Sequence, residues 1–143
     1  MATIELSALP PTAEDFARLR AACGWGAIDL AIAERALAAG LISVVARDGT
    51  CLAGFGRVVG DGVLYFYLQD VIVHPDFRGQ GVGRMVVEAL LAEVLRRAPI
   101  GATIGLMAAE GKEGFYEKFG FTRRPTERLG AGMTRFVLAE MEG

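Results

Sequence analysis

Histidine and cysteine are almost missing from this chain of 143 residues, which has one histidine, His74, two cysteines, Cys23 and Cys51, and one tryptophan. Two distant cysteines make no disulfide framework, and with His74 they do not show zinc-ligand spacing, so no metal is expected and the thiols are expected to be buried and reduced. A Ser-His-Asp or Cys-His hydrolase would need His74 as its base, yet that residue sits in the turn-like sequence Val73-His74-Pro75. Long apolar runs are missing too. The longest stretch without a charge extends from Ala98 to Ala109, well short of the roughly 18 apolar residues of a membrane span. The first residues carry no basic segment and place Glu5 where an export signal would be apolar, so the cytoplasm is expected and a membrane partner is not. Nor is there an excess of either charge: 15 Lys and Arg stand against 17 Asp and Glu, a net −2, mixed along the chain. That excludes a general nucleic-acid binder, which needs concentrated basic surface.

Apolar residues make up 52% of the chain and charged residues 22%, enough to bury a core at a length typical of one domain, so residues 1–143 are expected to form a single domain. Thr3–Leu6 reads as a short strand. Acidic Glu14 and Asp15 after Pro10-Pro11-Thr12 mark a helix start, and that helix reaches about Ala22. A second helix spans Asp29–Ala39, closed by Gly40 as a C′-type stop. The period then changes. Leu41–Ala46 and Cys51–Val59 read as strands around the turn signal Asp48-Gly49, and Asp61-Gly62 opens a long apolar strand, Val63–Val73, expected to be central with both faces covered. A helix follows to about Arg97, with Val82, Val86, Leu90, Leu91, Val94 and Leu95 at helical spacing. Thr103–Ala108 reads as a strand, Glu113–Phe119 as a short helix and Met133–Leu138 as a last strand. The class is mixed α+β with a largely antiparallel sheet.

Between the long strand and the helix lies Arg78-Gly79-Gln80-Gly81-Val82-Gly83-Arg84. Glycines let the backbone approach a ligand, successive N–H groups with a helix N-terminus cradle an anion, and Arg78 and Arg84 bracket the cradle. The expected ligand is a phosphate. A Walker loop is excluded because Arg84-Met85 follows Gly83 where Lys-Ser/Thr is needed, and the glycine spacing is not that of a dinucleotide fold. Period-two counting puts Asp70 on the face of Leu64, Phe66, Leu68 and Ile72, an apolar setting that suits a general base unless a bulge changes the face.

The run Val71-Ile-Val-His-Pro-Asp-Phe-Arg-Gly-Gln-Gly-Val-Gly-Arg84 resembles the acetyl-CoA motif of the GNAT N-acetyltransferases, with Arg78, Gly81 and Gly83 at its defining positions. Phe115-Tyr116-Glu117-Lys118-Phe119-Gly120-Phe121 is similar to the family's late helix-and-strand motif. The resemblance implies a GNAT-type fold whose mostly antiparallel twisted sheet splays at the site of the co-substrate, acetyl-CoA. It implies that main-chain groups of Val71, Ile72 and Val73 bond the pantetheine arm, the Val71 N–H polarising the thioester carbonyl. The pyrophosphate would lie on Gly79, Gln80, Gly81, Val82, Gly83 and Arg84. Tyr116 matches the family tyrosine that protonates the departing thiolate. Gln69-Asp70 resembles the acidic pair of glucosamine-6-phosphate acetyltransferases, with Gln in place of Glu. Asp70 is therefore the candidate base, the alternatives being that it holds a bulge, pairs with the amine, or leaves the proton to an ordered water. Where many relatives carry an asparagine, this chain has Ala109. Trp25 and Arg57 are candidate walls of the acceptor pocket. The implied reaction is acetyl transfer to the primary amine of a small molecule (an amino acid, amino sugar or polyamine-like compound). The alternatives are a peptide acceptor or a catalytically silent CoA sensor, and a homodimer accords with the resemblance.

Overall fold

Local side-chain bonds start the first two helices in the computed structural model, which describes residues 3–139. Thr12 Oγ1 accepts the Asp15 N–H at 3.1 Å at the head of α1 (Ala13–Ala22), and the Asp29 carboxylate accepts the Ile32 N–H at 3.0 Å at the head of α2 (Leu30–Ala39). Gly40 follows α2 at φ −68°, so the expected left-handed stop is not used. The chain runs straight on into a strand.

The chain divides into two compact units, one ending at Leu106 and the other beginning at Met107. The first contains a five-stranded sheet in sequence order: β1 (Glu5–Ser7), β2 (Ile42–Asp48), β3 (Cys51–Gly60), β4 (Tyr65–Val73) and β5 (Thr103–Gly105). Every pair is antiparallel except β4 with β5, which is parallel. This is the mixed α+β architecture that the sequence led us to expect. β4 starts two residues later than expected because Asp61 Oδ1 accepts the N–H groups of Val63, Leu64 and Tyr65 at 2.8, 2.8 and 2.9 Å and holds the first two in the turn. Those bonds favour the ionised carboxyl and hold Asp61 below its ordinary range.

The central strand is β3, not β4. One face of the sheet packs under α1 and α2, where Phe16, Leu19, Ala33 and Leu37 meet Val45, Leu52, Phe55 and Ile72; Phe16 and Phe55 stand edge to face at 5.5 Å. The other face packs under α3 (Val82–Arg97), which buries Val82, Val86, Val87, Leu90 and Val94. Leu95, expected on that face, is 67% exposed, and Val87 takes its place in the core. Helix α3 comes close to β3 because two strand positions are glycine. A Cβ on Gly54 would stand 2.7 Å from Val82 Cγ1, and one on Gly56 would stand 2.7 Å from Val86 Cγ1 and 2.8 Å from Leu90 Cδ1.

The second unit contains the short helix α4 (Glu113–Glu117) and a ring cluster around it. The expected strand Met133–Leu138 is not formed: among the described residues none pairs with it as a strand, and Met133, Phe136 and Val137 are exposed. The thiols also differ from expectation. Cys23 is half-buried and Cys51 is exposed, although both are free.

The α3–β3 contact yields a stability test. Gly56→Ala forces Val86 or Leu90 to move and is expected to cost roughly 1–3 kcal/mol, about 3–10 °C in Tm. Thermal melts should show that adding Val86→Ala costs less than the sum of the two single changes, because the second change removes the colliding methyl group.

Candidate functional site

The β3–β4 ladder changes register at one point. Phe55 pairs with Ile72 and Arg57 with Gln69, so Gly56 faces both Asp70 and Val71, a β-bulge. Asp70 has φ +56°, the left-handed conformation, which costs a non-glycine residue roughly 1–2 kcal/mol. The bulge reverses the alternation. Before it, Leu68 pairs with Val58 on the α3 face; after it, Val71 lies beside Gly56 on that face while Ile72 pairs with Phe55 under α1 and α2. The face expected for Asp70 by period-two counting is therefore not the one it occupies.

Its surroundings are an ion pair. Arg57 Nε donates to Asp70 Oδ2 at 2.7 Å, and Arg57 Nη1 donates to the Ala36 carbonyl of α2 at 2.9 Å. The two side chains are 14% and 9% exposed. Counting along one strand cannot find this partner. The available signal was an arginine between Gly56 and Val58 in a strand otherwise built to be buried, since a charge in such a place needs a counter-charge.

Beyond the bulge, β4 has a free side. β5 pairs only with Tyr65, Phe66 and Tyr67, and among the described residues no strand pairs with residues 68–73 on that edge. Val71 and Val73 are half-buried there, and the Cys23 thiol donates to the Val73 carbonyl at 3.2 Å. The ladder with β3 closes as the His74 N–H meets the Ala53 carbonyl at 2.8 Å.

The glycine loop follows at once. His74 Nδ1 accepts the Asp76 N–H at 3.0 Å and caps a 3-10 turn over Pro75–Phe77, so its ring serves the backbone. Phe77 is buried and anchors the turn, while Gln80 reaches back to the Asp76 carbonyl at 3.3 Å. Gly79 and Gly81 both have φ +78°, and a Cβ on either would meet nothing within 4 Å, so conformation and not space requires glycine there. Gly81 heads α3 without a side-chain cap, and the first helical bond runs from the Met85 N–H to the Gly81 carbonyl at 3.0 Å. The N–H groups of Val82, Gly83 and Arg84 therefore lack a helical acceptor and carry the positive end of a sixteen-residue helix. Arg78 is exposed beside them, and Arg84 pairs with Glu88 at 2.7 Å. An anion such as a diphosphate fits this cradle. The structure thus brings residues 71–73 and 78–84 together on one strand, turn and helix start.

In the second unit Tyr116 lies edge-on to Phe115 and Phe121, with ring centres 5.0 and 6.1 Å away. Burial among these rings pushes its phenol above the ordinary value of 10.0. It is thus a neutral O–H at physiological pH. One polar atom escaped the sequence reading altogether: Arg20 Nε is buried without a hydrogen-bond partner, although the same guanidinium lies 5.7 Å from both the Phe16 and Trp25 rings and donates through Nη2 to the Trp25 carbonyl at 3.2 Å.

Residues 39–123 match the acetyltransferase (GNAT) domain family. An uncharacterized N-acetyltransferase, ycf52, of Porphyra purpurea is 38% identical over 87 residues, covering 59% of this chain and 49% of its own length. Serotonin N-acetyltransferase 2, chloroplastic, of Oryza sativa subsp. japonica is 37% identical over 81 residues, covering 57% of this chain and 40% of its own. The matched part of the chain thus spans half or less of these relatives. Among solved structures, a protein of unknown function and probable acetyltransferase from meticillin-resistant Staphylococcus aureus superposes with a TM-score of 0.86 at 30% identity, covering 94% of this chain and 100% of that one.

The Tyr116 environment can be tested by alkaline ultraviolet titration. The wild type should show one phenol ionising above about 10 that Tyr116→Phe lacks. The unfolded chain ionises this group first, so its contribution to stability is complete below pH of about 10 and is lost as pH rises past that value.

Proposed function

Because this chain belongs to the GNAT acetyltransferase family, we propose that it transfers the acetyl group of acetyl-CoA directly to the primary amine of a small molecule. The observation that carries this reading is the loop of residues 78–84, where two left-handed glycines and three unpaired helix-head N–H groups form a diphosphate cradle at the end of a strand with a free edge. Acetyl-CoA supplies an activated thioester when bound. Arg78, Gly79, Gln80, Gly81, Val82, Gly83 and Arg84 hold its diphosphate. Main-chain groups of Val71 and Val73 hold the pantetheine arm along the free edge, those of Ile72 being turned toward Phe55 of β3, and the Val71 N–H stabilises the charge that develops on the carbonyl oxygen.

Holding both reactants in place converts a bimolecular reaction into a local one and supplies much of the rate. Tyr116 gives its phenolic proton to the leaving thiolate. The Tyr116 phenol, which burial holds above its ordinary value of 10.0, is an uphill donor to a thiolate near 8.5, but its proton is present throughout the neutral range. The proton of the amine passes to water, since Asp70 Oδ2 is already bonded to Arg57. No metal enters this scheme. The acceptor class is an amino acid, amino sugar or polyamine-like compound; the rice relative is named for serotonin, which shares only the small primary amine. In this reading residues 1–143 serve as one acetyltransferase domain that works in the cytoplasm.

Acetyl-CoA-dependent thiol release should appear with one acceptor class from a panel of amino acids, polyamines, amino sugars and short peptides. Tyr116→Phe should lower kcat by about 100-fold at saturating substrates. Release with peptides alone would make the acceptor a polypeptide. Thermal stabilisation by CoA without release from any acceptor would make the chain a sensor. The absence of both release and stabilisation would overturn the reading.

A further inference from the structure

Arg57 is bonded to two elements at once. Its Nε reaches Asp70 on the β4 bulge at 2.7 Å, and its Nη1 reaches the Ala36 carbonyl in α2 at 2.9 Å. The planar guanidinium serves the two acceptors from two different nitrogens held in a fixed fork, whereas a lysine would have to serve both from one. Asp70 in turn is the one non-glycine residue with a positive φ among the described residues. A backbone in that conformation persists only where its surroundings over-determine it. The side chain that does so here is Arg57, from the neighbouring strand and largely buried.

The bulge sits where the main chain matters most. Asp70 immediately precedes Val71 and Ile72, and the β4 edge at residues 68–73 is the stretch without a strand partner. A small rotation at Asp70 would redirect the Val71 N–H, while the ladder on either side, Gln69 with Arg57 and Ile72 with Phe55, would stay paired.

We propose that Arg57 is a positioning residue which, by bonding Asp70 and the Ala36 carbonyl together, fixes the direction of the Val71 main chain for the pantetheine arm. This rests on the acetyl-CoA reading. Asp70 then acts through the strand it shapes and not as the base. The Arg57 pair also explains why an aspartate can occupy a left-handed position in the middle of a strand.

The test separates the arm from the nucleotide. Arg57→Met is expected to weaken CoA binding at least tenfold while leaving the affinity for adenosine 3′,5′-bisphosphate within twofold, because the cradle at residues 78–84 is untouched. A general loss of folding would weaken both. Arg57→Lys should fall between wild type and Arg57→Met. Should the lone Asp70 charge prevent Arg57→Met from folding, Arg57→Met with Asp70→Asn removes both charges and should show the same split. Asp70→Asn should lower kcat/KM about tenfold and leave the acidic limb of its pH profile in place. Amide hydrogen exchange of residues 69–73, measured without ligand, should quicken at least tenfold in Arg57→Met.

Unchanged exchange, or equal losses for CoA and the bisphosphate, would overturn the proposal. So would loss of the acidic limb in Asp70→Asn alongside full activity in Arg57→Met, since Asp70 would then be the base. If the wild type binds no CoA at all, the acetyl-transfer reading fails, while the exchange data still decide whether Arg57 holds the bulge.

Discussion

Helix α3 can lie against β3 only because Gly54 and Gly56 present no side chain to it. Glycine inside a strand costs roughly 0.5–1 kcal/mol of backbone entropy. The contact it permits buries Val82, Val86 and Leu90 completely or nearly so, and each such side chain contributes roughly 1.5–3 kcal/mol. The exchange favours the close contact. Val82 is also the first residue of α3, so the residue pressed against Gly54 carries one of the unpaired N–H groups of the cradle. The position of the helix head is thus set by packing against β3 as much as by the glycines of the loop.

A second constraint acts along β4. An extra residue at the bulge turns the strand's alternation over, so that one strand lines the α3 face with Leu68 and Val71 and the α1–α2 face with Ile72. The strain at Asp70 is held by a charge pair that ties β3, β4 and α2 together. The strand edge beyond the bulge offers backbone groups, and its geometry depends on buried side chains packed beneath it.

The features legible in the sequence were those encoded by neighbouring residues. Thr12 and Asp29 cap helices through bonds that span three residues, Gly49 takes φ +59° in the turn announced by Asp48-Gly49, and the glycine loop occurs between a strand and a helix as its composition demands. What was not legible depends on distant partners. No local signal marks a one-residue insertion, so the count along β4 placed Asp70 on the wrong face and could not foresee Arg57 as its partner. β3 did not read as central because the glycines that admit α3 make it look less apolar than Val63–Val73. Met133–Leu138, rich in β-forming residues, reads as a strand, yet β propensity expresses how well a residue packs on a neighbouring strand, and none pairs with that segment in the described residues.

The free edge of β4 also bears on how the molecule behaves in a crowded solution. A row of unpaired strand groups is a template for the edge of another chain, and proteins that carry one must blunt it to avoid aggregation. Here the bulge at Asp70 interrupts the straight run that a neighbouring strand would need, and the Cys23 thiol already occupies the Val73 carbonyl. A thin, flexible chain with a few polar groups can follow such a bent lane, whereas a pleated strand cannot stay in register with it. The distortion that shapes the site thus keeps the sheet from growing by one strand at a time.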